Sequence, residues 1–316
     1  MSELLYKKSM EIINDYYPSL LEEYYQNAMK VPQYIFNHIF RIVLQVNDTV
    51  HISKMYRKLL EKQLPSGGWG SLQSNSEGLY GITATALQLL FWTIDRLRND
   101  ESSVKIIEDS IARGIDYLLR TDGDEYWVEK NSSDRKHGIL DLNHYILQCL
   151  YYALNYENGS DKKFQKGETA YWYDKLSNFY LRTQEEDGGW HEIGKPRSRV
   201  GTTSDALRAL LPNKKYVKYI GRGILFIIHN QNPYYGYWDA GNLDKCFDAS
   251  KALINSVWAN DNIFTSLDSI DKGLDYILTY DVDRMNFEEK CDLMTILIDY
   301  VDLYKGKKYF MAKKFF

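Results

Sequence analysis

Residues Gln184–Trp190 read QEEDGGW, and the same pattern returns along the chain. Gln63–Trp69, QLPSGGW, repeats it with Gln, then Gly at +4 and +5, then Trp at +6. Thr121–Trp127, TDGDEYW, keeps the Trp but has Thr in place of Gln. Gln231–Trp238, QNPYYGYW, keeps Gln, Gly and Trp with one extra residue. A turn that recurs with a fixed aromatic is the mark of a repeat architecture.

Working outward, each turn sits between two helical patterns. Before it comes a basic-Gly-x-x-aromatic-aliphatic signature. Arg222-Gly223-Ile224-Leu225-Phe226-Ile227 leads into Gln231, and Arg113-Gly114-Ile115-Asp116-Tyr117-Leu118 leads into Thr121. Lys272-Gly273-Leu274-Asp275-Tyr276-Ile277 begins a last unit without the Gly-Trp turn. After each turn a more apolar helix is expected, over Ile82–Leu97, Leu140–Asn155, Thr202–Leu211 and Cys246–Trp258. The turn glycines suit the positive φ of a helix C-cap. The helical glycine admits a close neighbour, and the Trp can pack over both helices. The Gln can bond loop backbone or the open N–H groups of the next helix. The repeated turn reads as a joint between hairpins; a ligand-binding Trp is the alternative.

The rest of the chain agrees with an all-α protein. Residues 1–62 read as helix, with Leu4, Met10, Ile13 and Tyr17 on one stripe, Pro18 as punctuation and Pro32 as the next start. Gly78–Ile94 is a run of 17 uncharged residues, short for a membrane span and suited to a helix buried on several sides. No Gly/Ser/Pro-rich linker divides the 316 residues, so a single domain is expected. Hydrophobic content of 44% and charged content of 26% are globular values. A net charge of −4 gives no reason to expect nucleic acid. Three cysteines without CxxC spacing argue for a reducing compartment, and the N-terminus has no apolar signal region, so a cytoplasmic location is expected. The 27 Tyr and 7 Trp suit an aromatic core or an aromatic-lined cavity.

The turn and the basic-Gly signature together resemble the repeats of the terpenoid cyclase and protein prenyltransferase β-subunit superfamily. Arg222–Gln231 with Gly236 and Trp238 matches the full motif with one insertion, and Gln184–Trp190 and Gln63–Trp69 match its second half. The resemblance covers roughly residues 50–280. It implies an α/α toroid of five to six hairpins around a central cavity. Residues 1–50 would complete the ring, and 305–316 would form a basic-aromatic tail. Several chemistries share such a ring.

In that superfamily the starts of the inner helices border the cavity. Here they read Gly81-Ile-Thr-Ala, Asp141-Leu-Asn-His144, Gly201-Thr-Thr-Ser and Asp244-Lys-Cys246-Phe. Asp141-Leu-Asn143-His is the nearest match to the Asp-x-Asp-Asp acid of class II terpene cyclases, but Asn143 stands at the proton-donating position. The candidate acids are therefore Asp141, with His144 beside it, and the pair Asp244/Asp248; N-capping by Asp141 and Asp244 is the alternative. Asp205 is a weaker candidate. Asp244-Lys-Cys246 resembles the zinc-binding pair of prenyltransferase β subunits. The resemblance therefore allows zinc, completed by His144 or His191, and magnesium with a diphosphate substrate. The residues themselves fix no metal site, and a buried Cys is commonly a small hydrophobe. The basic loop Lys195-Pro-Arg197-Ser-Arg199 is the candidate anchor for an anionic group, or else a solvated loop. The tail Lys305–Phe316 suits a peripheral membrane contact or a frayed terminus.

The resemblance thus implies an isoprenoid-handling enzyme that binds a prenyl substrate in an aromatic cavity, with Asp141, His144, Asp244 and Asp248 as catalytic candidates. Cys246, Arg197 and Arg199 are the substrate-binding candidates. Two other readings stay open: a non-catalytic toroid that binds a lipid, peptide or protein, and a carbohydrate-active lyase or hydrolase.

Overall fold

A computed structural model describes residues 2–27, 32–70, 78–120, 125–129, 139–156, 163–259 and 267–306. Among these, every regular element is helical apart from one isolated bridge between Gln184 and Trp190. The helices are α1 (Glu3–Asn27), α2 (Gln33–Val46), α3 (Thr49–Glu61), α4 (Tyr80–Arg96), α5 (Glu101–Leu119) and α6 (Ile139–Asn155). They continue as α7 (Lys166–Arg182), α8 (Val200–Leu210), α9 (Val217–His229), α10 (Leu243–Ala259), α11 (Leu267–Ile277) and α12 (Phe287–Tyr304).

The chain packs as two compact units, one of Asn27–Tyr180 and one of Met1–Gln26 with Leu181–Phe316. In the first, α4 packs against α2, α3, α5 and α6. In the second, α10 packs against α8, α11 and α12, and α9 covers α8. The run Gly78–Ile94 becomes most of α4, whose side chains from Leu87 to Ile94 are all buried. No helix among the described residues is long and apolar enough to cross a membrane.

The Gln-Gly-Trp turn is a joint with three fastenings. First, the Gln amide ties the turn to the helix that follows in the next hairpin. Gln63 Nε2 donates to Gly67 O at 2.8 Å and to Ser110 O on α5 at 2.9 Å. Gln184 repeats this on Gly188 O and Tyr219 O, and Gln231 on Gly236 O and Ser269 O. In each case the distant carbonyl lies three residues before the basic residue of the basic-Gly signature. Second, the glycine with positive φ backs onto that basic residue. Gly188 has φ 90°, and a Cβ there would stand 2.6 Å from the Arg222 carbonyl oxygen. Gly67 meets Arg113 and Gly236 meets Lys272 in the same way. Third, the Trp ring lies on the helical glycine. A Cβ on Gly223 would stand 2.8 Å from the Trp190 ring, and Gly114 and Gly273 hold Trp69 and Trp238 alike. The four turn tryptophans, Trp69, Trp127, Trp190 and Trp238, are fully buried, so the aromatic wealth of the sequence goes at least partly into the core.

Some sequence expectations need amendment. The turn glycines do not cap a helix: α3 ends on Lys62 in the right-handed region, and Gly67 lies further on, in the turn itself. Of the two partners expected for the Gln side chain, loop backbone is the one used, as the carbonyls of Gly67, Gly188 and Gly236, and the second bond goes to a helix carbonyl rather than to an open N–H group. Pro18 does not punctuate but sits inside α1. Asn14, whose carbonyl Pro18 leaves without its helical donor, is exposed and can be hydrated. The turn-following helices begin between one and three residues earlier than the apolar pattern indicated. Residues 121–124 of the worn turn and 307–316 of the tail lie outside the described residues.

Candidate functional site

Each turn tryptophan is clasped by one side chain near the start of the helix behind it. Thr83 Oγ1 accepts the Trp69 backbone N–H, and Thr203 Oγ1 accepts that of Trp190, both at 2.9 Å. Asn143 Oδ1 does the same for Trp127 at 2.9 Å, while its Nδ2 donates to Trp127 O and Ile139 O. At the fourth turn the acceptor is Cys246 Sγ, 3.4 Å from Trp238 N. These four clasps set one register for α4, α6, α8 and α10.

Two residues before the clasp stand Gly81, Asp141, Gly201 and Asp244. One residue before it stand Ile82, Leu142, Thr202 and Lys245. In each unit the second helix lays this side chain over the glycine of the first. A Cβ on Gly81 would stand 2.9 Å from Leu142 Cδ1, and one on Gly201 would stand 2.8 Å from Lys245 Cδ and 2.9 Å from its Nζ. The glycine provides the room for the leucine or the lysine.

At α4 and α6 the surroundings are largely neutral. The positions two and five residues after the clasp are Thr85 and Gln88 on α4, Tyr145 and Gln148 on α6. Gln88 Nε2 donates to Tyr145 O at 2.9 Å. Asp141 is exposed and His144 buried, with Oδ1 and Nδ1 3.6 Å apart. One further carboxylate enters from the loop after Trp127. Glu129 accepts the N–H groups of Tyr80 at 3.1 Å and Gly81 at 2.9 Å, taking the open donors at the start of α4. Burial pushes its pKa up, against the pull of those two bonds. Its partners lie 49 and 48 residues away, so nothing in the local sequence marks it.

At α8 and α10 the same positions carry Asp205 and Arg208, Asp248 and Lys251. Arg208 Nη2 pairs with Asp205 Oδ1 and stands 3.7 Å from Asp248 Oδ1. Lys245 Nζ reaches Asp248 Oδ2 at 3.2 Å, and Lys251 Nζ lies 3.8 Å from Asp292 on α12. Asp205, Arg208 and Lys251 are buried, which makes this ion-pair set costly to break. Asp244 and Glu288, at the starts of α10 and α12, are exposed and take no part in these ion pairs. Both have raised pKa values. For Asp244 the cause is first desolvation, with Asp248, Glu289 and Asp292 adding to it and Lys245 opposing. For Glu288 it is desolvation, then the charges of Asp292, Asp244 and Glu289. Two carboxyls biased toward their protonated form, beside a lysine, can supply a general acid and an anchor for an anionic group.

The candidates named from the sequence separate accordingly. Asp244 and Asp248 fall together, one with a raised pKa and one inside the ion-pair set. Asp141 and His144 form a neighbouring pair on α6. Arg197 and Arg199 are exposed in the loop before α8, and Arg199 is that helix's N-cap residue. Cys246 is buried, its sulfur faces the Trp238 backbone, and burial raises its thiol to about 11. A zinc ligand is a thiolate, so both facts work against that role. His191 Nδ1 bonds Glu185 at 2.8 Å. The sequence reading passed over Glu288 and Asp292, although their spacing copies that of Asp244 and Asp248. It also passed over Glu129, Lys245 and Arg208.

No protein-family model matches the chain, and no curated protein sequence matches it. Solved structures do. A variant of the type II terpene cyclase MstE from Scytonema, in complex with geranylgeranyl dihydroxybenzoate, superposes with a TM-score of 0.61 at 10% identity, over 97% of this chain and 99% of that one. The apo form of MstE gives 0.55 at 10% identity, over 86% and 88%. The ent-copalyl diphosphate synthase of Streptomyces platensis gives 0.57 at 13% identity, over 83% of this chain and 50% of that one. At such identities the likeness is one of fold. The chain has an all-α, α/α-toroid fold like that of these terpene cyclases, as its repeats indicated.

Proposed function

We propose that this protein is an isoprenoid-handling enzyme that binds a prenyl substrate with its polar end at the starts of α8, α10 and α12. The observation that carries the proposal is the placing of Asp244 and Glu288 at the starts of the packed helices α10 and α12 of a terpene-cyclase-like fold, where both carboxyl pKa values are raised. A solved relative by fold holds geranylgeranyl dihydroxybenzoate, a prenylated small molecule. In this reading Asp244 is the acid. Its proton goes to a substrate double bond, whose π pair forms the C–H bond; a second double bond of the chain closes on the new cation, the Asp244 carboxylate faces the charge, and loss of one proton to water restores a double bond and the original mass. Aromatic faces stabilise such a cation along the prenyl chain. Lys245, Arg197 and Arg199 hold an anionic headgroup, and Asp248 sets the position of Lys245. The Asp-x-Asp-Asp mechanism is unsuited to α6, because Asn143 spends its amide on Trp127. Asp141 and His144 are a second candidate acid–base pair, to be tested separately.

The test is incubation with geranylgeranyl diphosphate and with geranylgeranyl dihydroxybenzoate, followed by mass spectrometry. Cyclisation gives an isomer of unchanged mass and new retention time. Asp244→Asn should abolish it, Glu288→Gln should lower it, and Asp141→Asn tests the second pair. Full turnover in Asp244→Asn and Glu288→Gln would overturn the site assignment. Binding of either compound without turnover would favour the non-catalytic reading, which the extensive internal pairing of Asp205, Arg208, Asp248 and Lys245 supports.

A further inference from the structure

A cavity of about 150 Å³ lies between α1, the short turn Val282–Arg284 and α12. Its floor is apolar and buried: Leu20 from α1, Leu293 and Met294 from α12. Its mouth is polar. Tyr16, Ser19 and Glu23 line it from α1, Asp283 from the turn and Lys290 from α12. A volume of about 150 Å³ is that of a cavity able to hold a benzene-sized body. The apolar floor therefore has room for a branched or aromatic side chain, with the charged mouth left for its polar end.

The charges at the mouth define that polar end. The Lys290 side chain makes no hydrogen bond or salt bridge among the described residues. Asp283 Oδ1 accepts the Tyr16 hydroxyl at 2.8 Å, which fixes the carboxylate at the rim. That hydrogen bond, then burial and the charge of Asp283, raise the tyrosine's pKa and keep its hydroxyl a donor. Ser19 Oγ donates to Tyr16 O at 2.9 Å. The mouth thus offers one ammonium and two carboxylates, those of Asp283 and Glu23, over an apolar floor. A lone anion would meet two like charges, and a lone cation would leave the lysine unused. A zwitterion matches both signs.

We propose that this cavity is a binding site for a small zwitterion with an apolar body, of the class of the free aliphatic or aromatic α-amino acids. Its carboxylate pairs with Lys290, its ammonium with Asp283 and Glu23, and its side chain lies on Leu20, Leu293 and Met294. The occupant ties α1 to α12. The site is independent of the isoprenoid reading and shares no residue with it.

Calorimetric titration of the full chain tests this without any substitution. The probes are L-leucine, L-methionine and L-phenylalanine, compared with 4-methylpentanoate, which lacks the ammonium, and isoamylamine, which lacks the carboxylate. At least one amino acid should bind, and each truncated probe at least about tenfold more weakly, the factor one charge-assisted hydrogen bond carries. Lys290→Met should weaken the amino acid by a similar factor, with unchanged circular dichroism; Lys290→Gln serves if the methionine variant misfolds. The proposal falls if none of the three amino acids gives heat at about ten-millimolar ligand. Equal affinity for the truncated probes, or unchanged binding in the folded Lys290 variant, also overturns it.

Discussion

At the start of α4, Gly81 receives the side chain of Leu142; at the start of α8, Gly201 receives the methylenes and ammonium of Lys245. The two helix pairs, α4/α6 and α8/α10, share a register fixed by the tryptophan clasps. Around that register one pair is nearly neutral, with Gln88 on a backbone carbonyl, and the other carries Asp205, Arg208, Asp248 and Lys245. The difference separates two layers of information in one repeat. Gln, Gly, Trp and the clasp maintain the joint, while the positions next to the clasp are free to vary. This is why the repeat can be read without the activity being read.

The sharpest way to break the comparison is to attack the shared layer in both places. Trp69→Ala and Trp190→Ala should each lower stability by about 3–5 kcal/mol in urea unfolding, as expected for a fully buried Trp. A large effect at one site and a small one at the other would show that the joints are not equivalent. Next comes the varied layer. Arg208→Met removes the guanidinium paired with Asp205 and leaves Lys245 beside Asp248; it should cost about 3 kcal/mol or more, whereas Gln88→Met on α4 should cost about 1 kcal/mol. Equal costs would mean that the ion pairs contribute no more than the neutral contact.

A smaller effect sharpens the role of the clasp. Thr203→Val should cost about 1–2 kcal/mol by stranding the Trp190 N–H. Cys246→Thr should change stability by less than about 1 kcal/mol, because threonine already fills this place at Thr83 and Thr203. Retained turnover in Cys246→Thr would remove the sulfur from any chemistry. The smallest effect is electrostatic. Asp244 and Glu288 have carboxyl pKa values raised in the fold, so the unfolded chain releases their protons first. Their contribution to stability is therefore greatest below the unfolded carboxylate range and declines as pH rises through the raised folded values. Lys245 opposes the shift at Asp244, so Lys245→Met should move the Asp244 titration to higher pH. Carboxyl resonances followed by NMR in both proteins would show it; an unmoved titration would remove Lys245 from the acid's environment.

The joints were legible because they are local. Gln, Gly and Trp fall within seven or eight residues, and the basic-Gly signature within six. Asp141, Asp244 and Cys246 were legible as positions because the turns set the phase. What escaped was either remote or unphased. Glu129 reaches α4 from a loop some fifty residues away, and no spacing rule connects them. Lys245 gains its place from the room that Gly201 leaves on a different helix. Glu288 and Asp292 sit on α12, which no Gly-Trp turn precedes, so the register was lost just where two more carboxyls belonged to it.

The joint has a direction. Trp69 is completed by Gly114, Trp190 by Gly223 and Trp238 by Gly273, each a residue made later than the tryptophan it covers. On the ribosome, a newly made turn therefore keeps its indole uncovered until the next helix emerges, and each hairpin acts as the lid of its predecessor. The final helix escapes this dependence. α12 opens on its own capping box, Asn286 and Glu289 each satisfying the other's backbone N–H, so its start is complete as soon as it is synthesised.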